Sequence, residues 1–157
     1  MIVLPLNFFV LEKREQYRLL ERQLSALLEG ETDTVAKMAN MAAAIHEAFG
    51  FWWTGFYRVA GEELILGPFQ GPVACMHIPF GKGVCGTAWA RGASVVVPDV
   101  EAFPGHIACS SASRSEIVVP VFGADGKVTA VLDIDSDRLA TFDEEDRIGL
   151  ERIVGLL

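Results

Sequence analysis

Two apolar runs, SEIVVPVF at 115–122 and VTAVLDID at 128–135, are joined by GADGK, whose Asp125-Gly126 pair is a strong hairpin signal. Such a pair commits the chain to an antiparallel sheet, and side-chain alternation then dictates what each face carries. With Asp125-Gly126 at the centre of the turn, Ala124 faces Lys127. The register then pairs Val121 with Ala130, Val119 with Leu132 and Ile117 with Ile134, all on one apolar face. The other face pairs Pro120 with Val131, Val118 with Asp133 and Glu116 with Asp135, so three carboxylates share a small patch. Like charges placed this way must be solvated, matched by a cation, or relieved by holding a proton. A solvated face and a ligand pocket are both open at this point. Val118, Pro120 and Val131 on the same face, and a polar loop running directly into Glu116, weigh against simple solvation.

The rest of the chain supplies helices for such a sheet. In EKREQYRLLERQLSALLEG, Tyr17, Leu20, Leu24 and Leu27 recur at helical spacing, with Gly30 where a helix would end. DTVAKMANMAAAIHEAFG repeats the pattern through Val35, Met38, Ala42, Ile45 and Phe49, with Asp33 as cap and His46 off the stripe, where it would be solvated. FWWTGFYRV, ELILGPF and VACMHIPF read as strands, the first with Trp53, Gly55 and Tyr57 on one side and Trp52 and Phe56 on the other. A short helix at VCGTAWARG, a strand at SVVVP and a long excursion through DVEAFPGHIACSSASR follow. Thr141 and Glu144 have capping-box spacing ahead of a last helix that buries Leu150, Ile153, Val154 and Leu157. The expectation is an α/β chain of the α+β type, a central antiparallel sheet flanked by N- and C-terminal helices, forming a single domain over 1–157.

A formal charge of −8 leaves no basic stripe to neutralise phosphates, which argues against nucleic acid and anionic membrane as partners. The apolar opening MIVLPLNFFVL has no preceding basic residue and is broken by Pro5 and Asn7, unlike a secretion signal or a membrane span. Three cysteines, Cys75, Cys85 and Cys109, are an odd set for a secreted disulfide framework, so a reducing cytoplasm is expected. Their spacing with His77 and His106 matches no zinc motif, and no metal or cofactor is expected. GKGVCG reads literally as G-x-G-x-x-G, but the strands before it look antiparallel and Pro79 interrupts the approach, so it is a poor dinucleotide site.

Local chemistry separates the thiols only partly. Cys75, within VACMHI, fits a small packed hydrophobe. Cys85 sits at a predicted helix N-terminus, where partial positive charge favours thiolate. Cys109 follows His106 by three residues and precedes Arg114 by five, and either neighbour could favour its thiolate. Cys85 and Cys109 are not ranked by these arguments.

Over nearly its full length the sequence resembles the free methionine-(R)-sulfoxide reductases, which are built on the GAF fold. LLEGETD, WTGFY, LGPFQGPVAC, GKGVCGTA, FPGHIAC, SEIVVP and VLDIDS appear in that order. The resemblance implies that Cys109 is the nucleophile, Cys75 a resolving cysteine and Cys85 a third thiol that shares in recycling. It implies that Trp53 and Tyr57 surround the substrate methyl and side chain. Glu116, Asp133 and Asp135 would then bind substrate, with Glu116 and Asp135 also assisting loss of the sulfoxide oxygen. Free methionine sulfoxide would be the substrate and thioredoxin the reductant. A homodimer is compatible with this, since terminal helices of GAF domains often pair, although their apolar stripes serve equally as core. Two departures stand out: Ser110 where the family usually has Asp, and Ala130 where Gly is expected. The rival reading is a GAF module that binds a small ligand without chemistry. Such sensors are commonly attached to an output domain, for which no residues remain here, and a stand-alone enzyme is therefore expected.

Overall fold

The β-branched and aromatic runs form β1 (Trp53–Ala60), β2 (Glu63–Gln70), β3 (His77–Pro79), β4 (Val95–Val97), β5 (Ser115–Phe122) and β6 (Val128–Ser136). The computed structural model describes residues 1–109 and 111–157. All strand pairs are antiparallel, in one sheet of order β3-β2-β1-β6-β5-β4. Four helices surround it: α1 (Lys13–Leu28), α2 (Thr34–Phe49), α3 (Gly83–Arg91) and α4 (Glu144–Val154).

The β5–β6 ladder keeps the expected register from Glu116↔Asp135 to Val121↔Ala130. Its turn does not. Gly123 N–H donates to the Lys127 carbonyl at 2.8 Å, and Gly126, at φ +77°, completes a three-residue loop. A shift between Val121 and Phe122, which pairs with Val128, leaves Thr129 with no residue opposite and cancels the extra loop residue. Two one-residue departures of opposite sign therefore leave every side chain of the carboxylate patch on its expected face.

The apolar face of the hairpin, with Phe56, packs under α1, α2 and α4 as the larger core. In α1 the buried stripe is Tyr17, Leu20, Leu24 and Leu28, so Leu28 takes the place expected of Leu27, which is half-buried at the edge. Val35 in the first turn of α2 is exposed, and His46 is half-buried rather than solvated, its Nδ1 lacking a hydrogen-bond partner among the described residues. Asp33 caps α2 by accepting from Ala36 N–H at 2.8 Å. The cap of α4 falls two residues later than expected: Asp143 accepts from Glu145 and Asp146, and Asp146 accepts from Asp143. Asp146 wins the role because it also accepts from the buried Tyr17 hydroxyl at 2.7 Å and from Lys13 Nζ at 2.6 Å, tying α1 to α4. Thr141 instead donates to Ser136 Oγ. Ala130 is wholly buried in this core, and Ser110 lies outside the described residues.

The second face carries Trp53, Tyr57, Val118 and Val131, covered by α3 with Val84, Cys85 and Ala88. The strand before α3 is antiparallel to its neighbour, which rules out a βαβ phosphate site at GKGVCG. The glycines there serve close packing, since a Cβ on Gly86 would lie 2.7 Å from the Pro79 carbonyl oxygen. Among the described residues no helix is long and apolar enough to cross a membrane.

Candidate active site

The expected strand VACMHIPF pairs only at His77–Pro79. Residues 71–75 leave the ladder, and side chains take two of their carbonyls: Trp53 Nε1–H donates to Pro72 O at 3.0 Å, and the Tyr57 hydroxyl donates to Cys75 O at 2.9 Å. These bonds aim Cys75 at the loop that follows β4. There it forms a disulfide with Cys109, with Cα atoms 5.4 Å apart. Cys75 is thus a half-buried, disulfide-bonded residue and not a packed hydrophobe.

Beneath the disulfide lies a cavity whose lining includes Trp53, Tyr57, Cys85, His106, Glu116, Asp133 and Asp135. Parity along β1, β5 and β6 places Trp53, Tyr57, Glu116, Asp133 and Asp135 there, while Cys85 comes from α3 and His106 from the loop after β4. Trp53 pairs with Asp135 and Gly55 with Asp133 across β1–β6, while Glu116 pairs with Asp135 across β5–β6. Gly55 has to be glycine, because a Cβ would strike the Trp53 ring and Phe69. Trp53 stacks between Tyr57 and Phe69, with ring centroids 5.9 and 5.3 Å away, and forms an aromatic wall facing the acids. Trp52 also lines the cavity, although strict alternation put it on the opposite side. It precedes the first paired residue of β1, so the pleat does not constrain it.

The carboxylate patch is not a solvated face. Glu116 and Asp133 are only 5% and 6% exposed, and Asp135 is half-buried. Burial, reinforced by the charges of Asp133 and Asp135, raises the Glu116 pKa well above the carboxylate range. Burial lifts Asp133 to about 6, against the opposing effect of hydrogen bonding with Glu116 and Cys85. Asp135 is also raised, by burial and then by the Asp133 charge, partly offset by a hydrogen bond from Ser113 Oγ at 2.7 Å. Burial and mutual repulsion thus push all three carboxyls toward the protonated form, and Glu116 is the most enclosed of them. Asp133 Oδ1 is buried and has no hydrogen-bond partner among the described residues, so the cavity presents an unused acceptor.

Cys85 corrects the helix-terminus argument. It is buried at the start of α3, 4.0 Å from Glu116 Oε1, and desolvation followed by the charges of Asp133, Glu116 and Asp135 raises its pKa well above that of a free thiol. A few tenths of a helix charge do not outweigh a dry site beside acids. The ligand atoms of Cys85, Glu116 and Asp133 lie within 4.8 Å of one another. That is a possible three-donor set, although the same groups make up the acid cluster. Of the two basic residues near Cys109 in sequence, His106 lines the cavity and Arg114 is exposed. Ser113, Trp52 and the Pro72 carbonyl escaped sequence reasoning; for Ser113 the available signal was its place just ahead of the acidic strand.

A GAF domain family model matches residues 25–157. Fold and cavity therefore define a GAF-domain protein with a paired-thiol, carboxylate-lined site. The chain is 45% identical over 148 residues to the free methionine-R-sulfoxide reductase of Escherichia coli, covering 94% of this chain and 89% of that protein. It is 54% identical over 146 residues to GAF domain-containing protein A of Dictyostelium discoideum, covering 92% of each. An X-ray structure of the Neisseria meningitidis free methionine-R-sulfoxide reductase in complex with its substrate superposes with a TM-score of 0.90 at 54% identity, covering 93% of this chain and 88% of that one. The chain belongs to the free methionine-R-sulfoxide reductase family.

Proposed function

We propose that the protein reduces the R epimer of free methionine sulfoxide to methionine, using Cys109 as nucleophile and Cys75 as resolving thiol. The observation that carries this reading is the Cys75–Cys109 disulfide set over a cavity of three buried carboxylates and an aromatic wall. The Cys109 thiolate attacks the sulfoxide sulfur while Glu116 protonates the oxygen. An S–S bond to the substrate forms as its S–O bond breaks and the oxygen leaves as water. Water then attacks Cys109 Sγ and breaks that S–S bond, releasing methionine reduced by two electrons, a proton, and Cys109 as the sulfenic acid. The Cys75 thiol then condenses with it, forming the disulfide and releasing water. A dithiol must return two electrons and two protons, and thioredoxin is the partner we infer for this step. Cys85, too protonated to attack, serves as a reserve thiol in recycling.

Recognition follows from the same groups. Asp133 Oδ1 and Asp135 suit the ammonium of a free amino acid, and Trp53 with Tyr57 suits the methyl group. With the disulfide closed Cys109 is tied to Cys75, so reduction must precede its attack on substrate. Residues 1–157 act in this reading as a single cytoplasmic domain, free to pair as a homodimer. The test is turnover of the separated R and S epimers of free methionine sulfoxide with thioredoxin recycling. Selective loss of the R epimer is expected, and equal turnover of a sulfoxide within a peptide overturns the assignment.

A further inference from the structure

We propose that His106 takes the proton from the Cys109 thiol and passes it to Glu116 once Glu116 has protonated the sulfoxide oxygen. The inference rests on the reductase reading and adds the route by which the site conserves its proton. The step from Cys109–SH and R₂S=O to Cys109–SOH and R₂S consumes no proton from solvent. The proton leaving one sulfur must therefore reach the oxygen leaving the other.

His106 stands where such a carrier is required. Its Nε2 lies 3.7 Å from Glu116 Oε2, and the two side chains are 16% and 7% exposed. It also belongs to the short stretch that carries Cys109, and both residues line the cavity. That stretch is held by its own backbone, with His106 N–H donating to Phe103 O at 3.2 Å and Cys109 N–H to Ile107 O at 3.0 Å. The Ile107 side chain meanwhile packs against Gly83 of α3.

Among the described residues the other titratable groups lining the cavity are Tyr57 on β1, whose hydroxyl is engaged with the Cys75 carbonyl, Glu116 on β5, Asp133 and Asp135 on β6, and Cys85 on α3. Glu116 holds a proton, Asp133 and Asp135 face the ammonium in this reading, and Cys85 is a buried neutral thiol. That leaves His106 as the neutral base. Desolvation lowers its pKa, which keeps the imidazole free to accept a proton at neutral pH. A separation of 3.7 Å is a few tenths of an ångström beyond a hydrogen bond, and contacts of this kind tighten when substrate binds. In the present state Cys109 is also tied into its disulfide.

The experiment compares His106→Gln with the parent protein, both reduced and carrying Cys75→Ser so that each active site turns over once. Two quantities are followed against pH: methionine release in that single turnover, and alkylation of Cys109 by iodoacetamide, located by mass spectrometry. His106→Gln is expected to slow methionine release at pH 7 by about 100-fold or more. It should also move the Cys109 alkylation midpoint up toward the free-thiol value of about 8.5. Imidazole added to His106→Gly should restore part of the rate; because the same sample is compared with and without imidazole, a folding defect cannot mimic the rescue. An alkylation profile identical to the parent, or a rate within about threefold of it, overturns the proposal. If the parent reduces no methionine sulfoxide while the alkylation profile still shifts, the reductase reading falls and the His106–Cys109 couple stands.

Discussion

The hydroxyl of Tyr57 donates to the carbonyl oxygen of Cys75 at 2.9 Å, so a residue of the aromatic wall holds the loop that carries Cys75. Tyr57→Phe keeps the ring and removes only this bond. Losing about 1 kcal/mol of positioning corresponds to about a fivefold slower disulfide step. Trapping the sulfenic acid with dimedone during a single turnover would show it accumulating, with the first methionine released at the parent rate. A sulfenic acid lifetime equal to the parent's would show that the bond does not position Cys75.

The division of labour between the thiols predicts distinct failures. Cys109→Ser should release no methionine even once. Cys75→Ser should release one equivalent and then stall, or recycle slowly through Cys85. Rapid-quench counting of methionine per protein separates the two. A first turnover lost in Cys85→Ser and kept in Cys109→Ser would reverse the assignment.

Burial and the acid cluster should make Cys85 the slowest thiol. In reduced protein at pH 7, iodoacetamide is expected to modify Cys109 and Cys75 first and to reach Cys85 only after unfolding in guanidinium. Mass spectrometry of peptides from a time course gives the order. Early labelling of Cys85 would mean that the helix N-terminus dominates after all.

Glu116→Gln and Asp135→Asn should lower turnover or raise KM by about ten- to ten-thousand-fold, the range for positioned acids and charged binding groups. Both proteins should melt no lower than the parent, because each loses like-charge repulsion in a dry site. Activity within about twofold of the parent would show that the carboxylates have no part in the chemistry.

Asp133 gives a pH-dependent stability of defined sign. Its folded pKa, about 6, lies above the ordinary value of 3.8. Below pH 3.8 both folded and unfolded states hold the proton and there is no penalty. As pH rises through this window the unfolded state ionises first, and stability falls until the folded state ionises as well. The total is about 3 kcal/mol, shared with the coupled acids. Denaturant titrations should therefore show Asp133→Asn gaining on the parent between pH 4 and 6 and holding that gain at pH 8. A constant difference across the range would contradict the buried, raised carboxyl.

How far the site could be read from sequence depends on which residues obey a period. Alternation placed Glu116, Asp133 and Asp135 on one face of the hairpin and Trp53 with Tyr57 on one side of their own strand; the β1–β6 pairing then brought the two sets together. The GADGK turn was misread by one residue, yet the patch stayed on its face because the shift near Thr129 compensates. Trp52, Ser113 and Cys75 lie outside the ladders, where no period applies, and Cys75 and Ser113 are placed by hydrogen bonds with distant residues. The capping box moved from Thr141 to Asp143 for a similar reason, since Asp146 answers to Tyr17 as well as to its own helix.

By itself, the sequence determined the antiparallel sheet, the faces of its strands, the helices that cover it and the family to which it belongs. Local periodicity and turn chemistry act over a few residues, and a series of motifs in fixed order is legible without folding. The tertiary structure alone decided which cysteines meet and which carboxyl keeps a proton. Pairing of Cys75 with Cys109 needs two loops 34 residues apart brought within 5.4 Å between Cα atoms. The raised pKa of Cys85, against the expectation from its helix, comes from desolvation and from charges on β5 and β6. Both effects depend on how much water and how many distant atoms surround a group, and no window of neighbouring residues encodes that.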